Sequence, residues 1–107
     1  MVFTEKLIGQ ARPADTSIVT VFTATTKTII KSIRVANTSS DEESFSIYIV
    51  PSGATVGDIH KIYGDVLLHE NTTIGDDGYF VLDTGDSIQV SVGTGDKISF
   101  TFMGAEL

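Results

Sequence analysis

The strongest constraint on the fold is the period-two alternation in residues 79–107 of this chain of 107 residues. Ile88, Val90 and Val92 alternate with Gln89 and Ser91, and Ile98, Phe100 and Phe102 alternate with Ser99 and Thr101. Successive side chains of a strand point to opposite faces, so each run carries one apolar face and reads as a half-buried strand. Asp83-Thr84-Gly85-Asp86 forms a turn before the first run, and Gly93-Thr94-Gly95-Asp96 separates the two. Its glycines accept positive φ at little cost, so the two runs are expected to pair as an antiparallel hairpin.

The rest of the chain follows the same grammar. Residues 17–23 hold Ile18, Val19, Val21 and Phe22 among threonines, a β-branched run suited to a pleated sheet. Residues 27–37 place Ile29, Ile33 and Val35 on one parity, broken at Ile30 and Lys31, as at a bulge or a crossing between sheets. Phe45, Ile47 and Ile49 alternate with polar neighbours and Tyr48 until Pro51-Ser52-Gly53 stops the strand. Residues 54–64 fit no strand; the spacing of Val56, Ile59 and Ile62 allows a helical turn or a loop capped by Tyr63, and the segment reads as a long connection. Residues 65–70 form a strand that residues 72–74 extend, Gly75-Asp76-Asp77-Gly78 is a turn, and residues 79–82 are a short strand.

About seven to nine short strands with no helix predict an all-β fold, a single β-sandwich of jelly-roll or immunoglobulin-like topology. Residues 1–15, interrupted by Pro13 and lacking periodicity, read as an extended N-terminal arm or edge strand; residues 16–107 form the sandwich domain. One domain of this size buries roughly 60 to 70% of its unfolded surface. At 41% hydrophobic residues the chain is too apolar for disorder, yet it has no run long enough to span a membrane. An acid, Glu5, stands where a signal peptide carries its basic segment, so secretion by that route is not expected.

The chemistry-bearing residues are sparse. Cysteine is absent, which removes disulfides, thiolate metal sites and thiol nucleophiles. The net charge of −7 repels phosphate backbones, so direct nucleic-acid binding is not expected. His60 and His69 have no second ligand at metal spacing, and Asp76-Asp77-Gly78 supplies too few oxygens for a calcium loop. Asp83 and Asp86 read as turn-capping side chains rather than a glycosidase pair. There is no glycine-flanked nucleophile, and Gly93-Thr94-Gly95 does not open a helix as a phosphate loop would. The residues therefore imply a protein that is not an enzyme, with no metal and no cofactor. Among the aromatics, Tyr48, Tyr63 and Tyr79 are the candidates for stacking on a sugar.

The order of the segments resembles that of small tailed-bacteriophage virion proteins. The residues that carry the likeness are Thr20-Val21-Phe22-Thr23, a strand ending in Val35-Ala36-Asn37-Thr38, residues 45–50, the later run Val81-Leu82-Asp83-Thr84-Gly85-Asp86-Ser87-Ile88-Gln89-Val90, and Gly104-Ala105-Glu106. It spans residues 18–106. The resemblance implies a non-enzymatic virion structural protein, first a capsid decoration or cement protein that bridges neighbouring capsid subunits, second a tail or fibre-associated adaptor. It further implies a homo-oligomer, trimer favoured, bound to the major capsid protein or other virion proteins in a virion assembled in the host cytoplasm. On that reading Val2, Phe3, Leu7, Ile8 and Arg12 of the arm are the expected interface. A carbohydrate-binding module for host attachment, using Tyr48, Tyr63 or Tyr79, is the alternative.

Overall fold

The computed structural model describes residues 2–107; Met1, the first residue of the expected arm, lies outside the described residues. Nine strands follow in order: β1 Thr4–Ala11, β2 Val19–Thr23, β3 Thr28–Asn37, β4 Glu43–Val50, β5 Lys61–Leu68, β6 Thr72–Asp76, β7 Phe80–Leu82, β8 Ser87–Val92 and β9 Ile98–Glu106. One 3-10 turn, Asp58–His60, precedes β5. The strands form two antiparallel sheets, β1-β9-β3-β6 with β7 also on β3, and β2-β8-β4-β5. The fold is an all-β sandwich.

β6 pairs with β3 over residues 33–37 and β7 pairs with it over residues 28–30, both antiparallel, while β9 occupies the other side of β3. β6 and β7 are therefore two halves of one broken edge strand. Counted as one, they leave four strands per sheet, with the chain crossing from sheet to sheet and its first and last strands adjacent. That is the order of a jelly roll, which separates the two topologies the alternation left open.

Four expectations need correction. Residues 72–74 do not extend the 65–70 strand: they begin β6, which lies in the opposite sheet from β5. The runs at 88–92 and 98–102 do not form a hairpin: β8 lies between β2 and β4, and β9 lies between β1 and β3 in the opposite sheet. Both bury their apolar parity toward the same core, so alternation alone reads identically whether the partner is adjacent or across the sandwich. Residues 93–97 bridge the roughly 10 Å between sheets, well within the roughly 17 Å that five residues can span. Gly75-Asp76-Asp77-Gly78 is likewise no reversal, because the chain resumes along the same neighbour. Residues 54–64 are a connection only to Gly57; β5 starts at Lys61 and takes in Ile62 and Tyr63.

The parity break at Lys31 is a bulge. Ile30 faces Gly104 and Ser32 faces Met103, so Lys31 is the extra residue and Ile30, not Ile29, joins Ile33 and Val35 inside. Gly104 is required there, because an added Cβ would overlap the carbonyl oxygen of Ile29. The core between the sheets centres on Phe45 of β4 against Phe100 of β9, edge to face at 5.9 Å, with Ile33, Ile47, Leu82, Val90 and Phe102 around them.

Candidate functional site

Of the expected arm, residues 4–11 are β1, an edge strand paired with β9 from Thr4–Glu106 to Ala11–Phe100. A second bulge at Ile8 turns that side chain into the core, at 8% exposure, so it has little surface to give a partner. Leu7 faces outward at 50% exposure, and Val2 and Phe3 stand exposed ahead of the strand. Arg12 is engaged within its own chain. Its guanidinium donates to the Asp96 carboxylate, the Asp96 carbonyl and the Ser99 hydroxyl, each at 2.9 Å. The Asp96 amide donates to the Pro13 carbonyl at 2.7 Å, with Asp96 in the left-handed region at φ 58°. Residues 12–15 are thereby clamped to the β8–β9 crossing.

The three tyrosines have different fates. Tyr48 is 6% exposed, with Lys61 over its ring and its hydroxyl 3.4 Å from that of Ser91, so it offers no ring face to a sugar and leaves the stacking set. Tyr63 is half-buried and donates from its hydroxyl to Asp76, joining β5 of one sheet to β6 of the other. Burial, followed by that hydrogen bond to the carboxylate, pushes its phenol up to about 12. Asp76 is held below the usual carboxylate range by the Tyr63 hydroxyl and then by the Gly78 amide. Tyr79 alone presents its ring, at 69% exposure.

Tyr79 stands on the outer face of the five-stranded sheet, a surface to which β1, β3, β7 and β9 all contribute. Cross-strand register places Leu7 opposite Met103, and Val81 opposite Ile29, which is opposite Ala105. Two shallow depressions result, one lined by Leu7 and Met103, the other by Ile29 and Tyr79, and Lys31 borders both. Lys31–Glu5 borders the first and Asp77, paired with Arg34, the second, while Lys6–Glu106 and Lys27–Asp83 are further ion pairs of the same sheet and its loops, all at 2.9–3.5 Å. Asp77 is held low chiefly by its hydrogen bond to Arg34, then by Ser32. This surface escaped sequence reasoning because Leu7, Ile29, Tyr79, Val81 and Met103 are scattered along the chain. Only the strand order β1-β9-β3-β7 makes them neighbours.

Asp86 and His60 serve the backbone. The Asp86 carboxylate accepts from the amides of Asp83 and Ser52, both at 2.9 Å, as its turn position suggested. His60 Nδ1 accepts from the Gly57 amide at 3.0 Å, and exposed His69 lies 3.3 Å from Glu42. Among the described residues no helix is long and apolar enough to cross a membrane.

No family model matches the chain, and no curated protein matches it. Among solved structures, a chain of infectious bursal disease virus, Gx strain, is similar at 15% identity and a TM-score of 0.45. The match covers 97% of this chain and 30% of that one, so this chain spans under a third of its length.

Proposed function

We propose that the protein is a structural component of a tailed-phage virion, a capsid decoration protein that binds the head and bridges neighbouring major capsid subunits. The observation that carries this reading is the outer face of the five-stranded sheet: broad, shallow, apolar at its centre and bordered by the Lys31–Glu5 and Arg34–Asp77 ion pairs. Such a surface suits contact with a macromolecule, whereas small substrates are taken in deep, convergent pockets. Jelly rolls also serve lectins and cupins, so topology contributes analogy alone and the surface has to carry the function. The segment order that resembles phage virion proteins supports the same reading.

In this proposal residues 1–15 are the segment that reaches a neighbour and residues 16–107 the body, with assembly as a homo-oligomer, a trimer favoured, in a virion built in the host cytoplasm. Val2 and Phe3 carry the reach, since β1 is committed to its own sheet. Removing residues 1–3 should leave thermal unfolding unchanged and weaken co-sedimentation with phage heads lacking this protein at least tenfold. Full-length protein that stays in the supernatant with such heads would overturn the decoration reading in favour of a tail or fibre-associated role.

A second reading rests on Tyr79, whose exposed ring stands beside Asp77 and Lys31 as a sugar platform would. It predicts glycan-array binding that Tyr79→Ala abolishes. A blank array for the intact protein excludes it.

A further inference from the structure

We infer that the outer face of the five-stranded sheet is covered by another copy of this chain. This rests on the preceding reading and names what packs on that surface, leaving Val2 and Phe3 to reach the head from the oligomer, and it can fail separately, because a monomer could still bind heads through the uncovered face.

The distribution of charge favours a second copy as the occupant. The chain has seven basic and fourteen acidic residues, giving −7. Six of the basic residues, Lys6, Arg12, Lys27, Lys31, Arg34 and Lys97, sit on the strands of this sheet or directly at their ends, and all but Lys97 are paired with an acid of the same sheet or its loops. Those five pairs cancel. The two remaining cations, Lys61 and Lys97, stand against nine acids, so the whole net charge of −7 lies outside the pairs. Asp41, Glu42, Glu43, Asp58, Asp65 and Glu70 place much of it on β4, β5 and their loops, in the other sheet.

Two copies of a molecule charged to −7 repel through most of their surface, and approach is cheapest where the local charge is zero. Four of the ten exposed large apolar side chains among the described residues also stand there, Leu7, Tyr79, Val81 and Met103, with half-buried Ile29 between them. A strongly basic partner would be drawn to the opposite sheet instead, and a strongly acidic one would find only Lys97 outside the pairs here, offset by Asp76 of β6.

The area is adequate. β3, at ten residues, runs roughly 33 Å, and four strands side by side span roughly 19 Å. The flat face is thus on the order of 600 Å² before side-chain relief is counted, close to the roughly 800 Å² per partner of a standard interface. Lys31, at the border of both depressions, is tied to Glu5 by a single contact of 3.5 Å and can turn to a neighbour's acid without exposing a buried charge.

The test is the solution mass by light scattering of the intact protein and four variants, with circular dichroism to confirm folding. The intact protein should show an integral multiple of 11.4 kDa. Leu7→Glu and Val81→Glu, on different strands, and Tyr79→Asp, at the break between β6 and β7, should each weaken association at least tenfold while the fold persists. Leu67→Glu, on the exposed side of β5, should leave the mass unchanged. A mass of 11.4 kDa for the intact protein up to several hundred micromolar overturns the inference. So does an oligomer that survives the folded face variants, or one that only Leu67→Glu dissociates.

Discussion

Asn37 shows how much one polar residue can hold. Nearly fully buried at the end of β3, it donates from Nδ2 to the carbonyls of Asp41, Leu68 and His69 at 2.8–3.2 Å. Its Oδ1 accepts from the amide and hydroxyl of Ser39 at 3.0 and 2.8 Å. One side chain thus closes both the β3–β4 crossing and the β5–β6 turn. Asn37→Ala should cost about 2 kcal/mol in urea unfolding, because it strands buried carbonyls. Asn37→Asp should cost more, since it turns an acceptor toward them. Gly104→Ala tests the bulge by a different mechanism: the new Cβ meets backbone, which cannot swing away, and a loss of about 1–3 kcal/mol is expected. Gly57→Ala is its control, with open space around an extended backbone, and should change the melting temperature little.

At the scale of the element, the broken strand β6/β7 is the informative one. A continuous edge strand would offer a row of unpaired amides to other chains, and the interruption at residues 77–79 denies it that length. The break is pinned on both faces. Asp77 is held by Arg34 and Ser32 outside, and Asp76 by Tyr63 across the sandwich. The pH dependence follows from these contacts. The Tyr63 phenol is raised from 10.0 to about 12 in the folded state, so its contribution is fully present below pH 10 and is lost as pH rises through about 12. Asp76 and Asp77 are depressed below 3.8, so theirs is present above that value and lost as pH falls through the lower folded values. Tyr63→Phe should therefore lower stability at neutral pH by about 1 kcal/mol. Its melting temperature should also be flatter than that of the parent between pH 10 and 12.

For the whole molecule, connectivity sets the folding problem. β1 pairs with β9 along its full length, so the two ends of the chain must meet before the five-stranded sheet is complete. The short-range pairing is limited to β4 with β5, while β8 and β9, separated by only five residues, go to different sheets. Non-local pairing of this kind folds on the scale of roughly milliseconds to seconds. Stopped-flow refolding completed within tens of microseconds would contradict this topology. Substituting Arg12 by alanine should leave the main refolding phase intact while speeding hydrogen exchange at the Asp96 amide, because the clamp between residues 12–15 and the β8–β9 crossing forms outside the core.

The amino-acid sequence by itself determined the strand type, the positions of β2, β3, β4, β7, β8 and β9 and the apolar parity of β8 and β9, because period-two alternation is a local consequence of the pleat. It also marked the Lys31 bulge, where the parity visibly slips, and the capping role of Asp86, which acts within its own turn. Only the tertiary structure decided which strands are neighbours. An inward-facing Val90 or Phe100 looks the same whether its partner lies beside it or across the core, and Gly75-Asp76-Asp77-Gly78 has the composition of a reversal although the chain runs on along β3. The outer face was beyond local reading for the same reason: Leu7, Ile29, Tyr79, Val81 and Met103 become one surface only when the first and last strands close side by side, and cancellation of charge on that sheet is a property of pairs, not of residues.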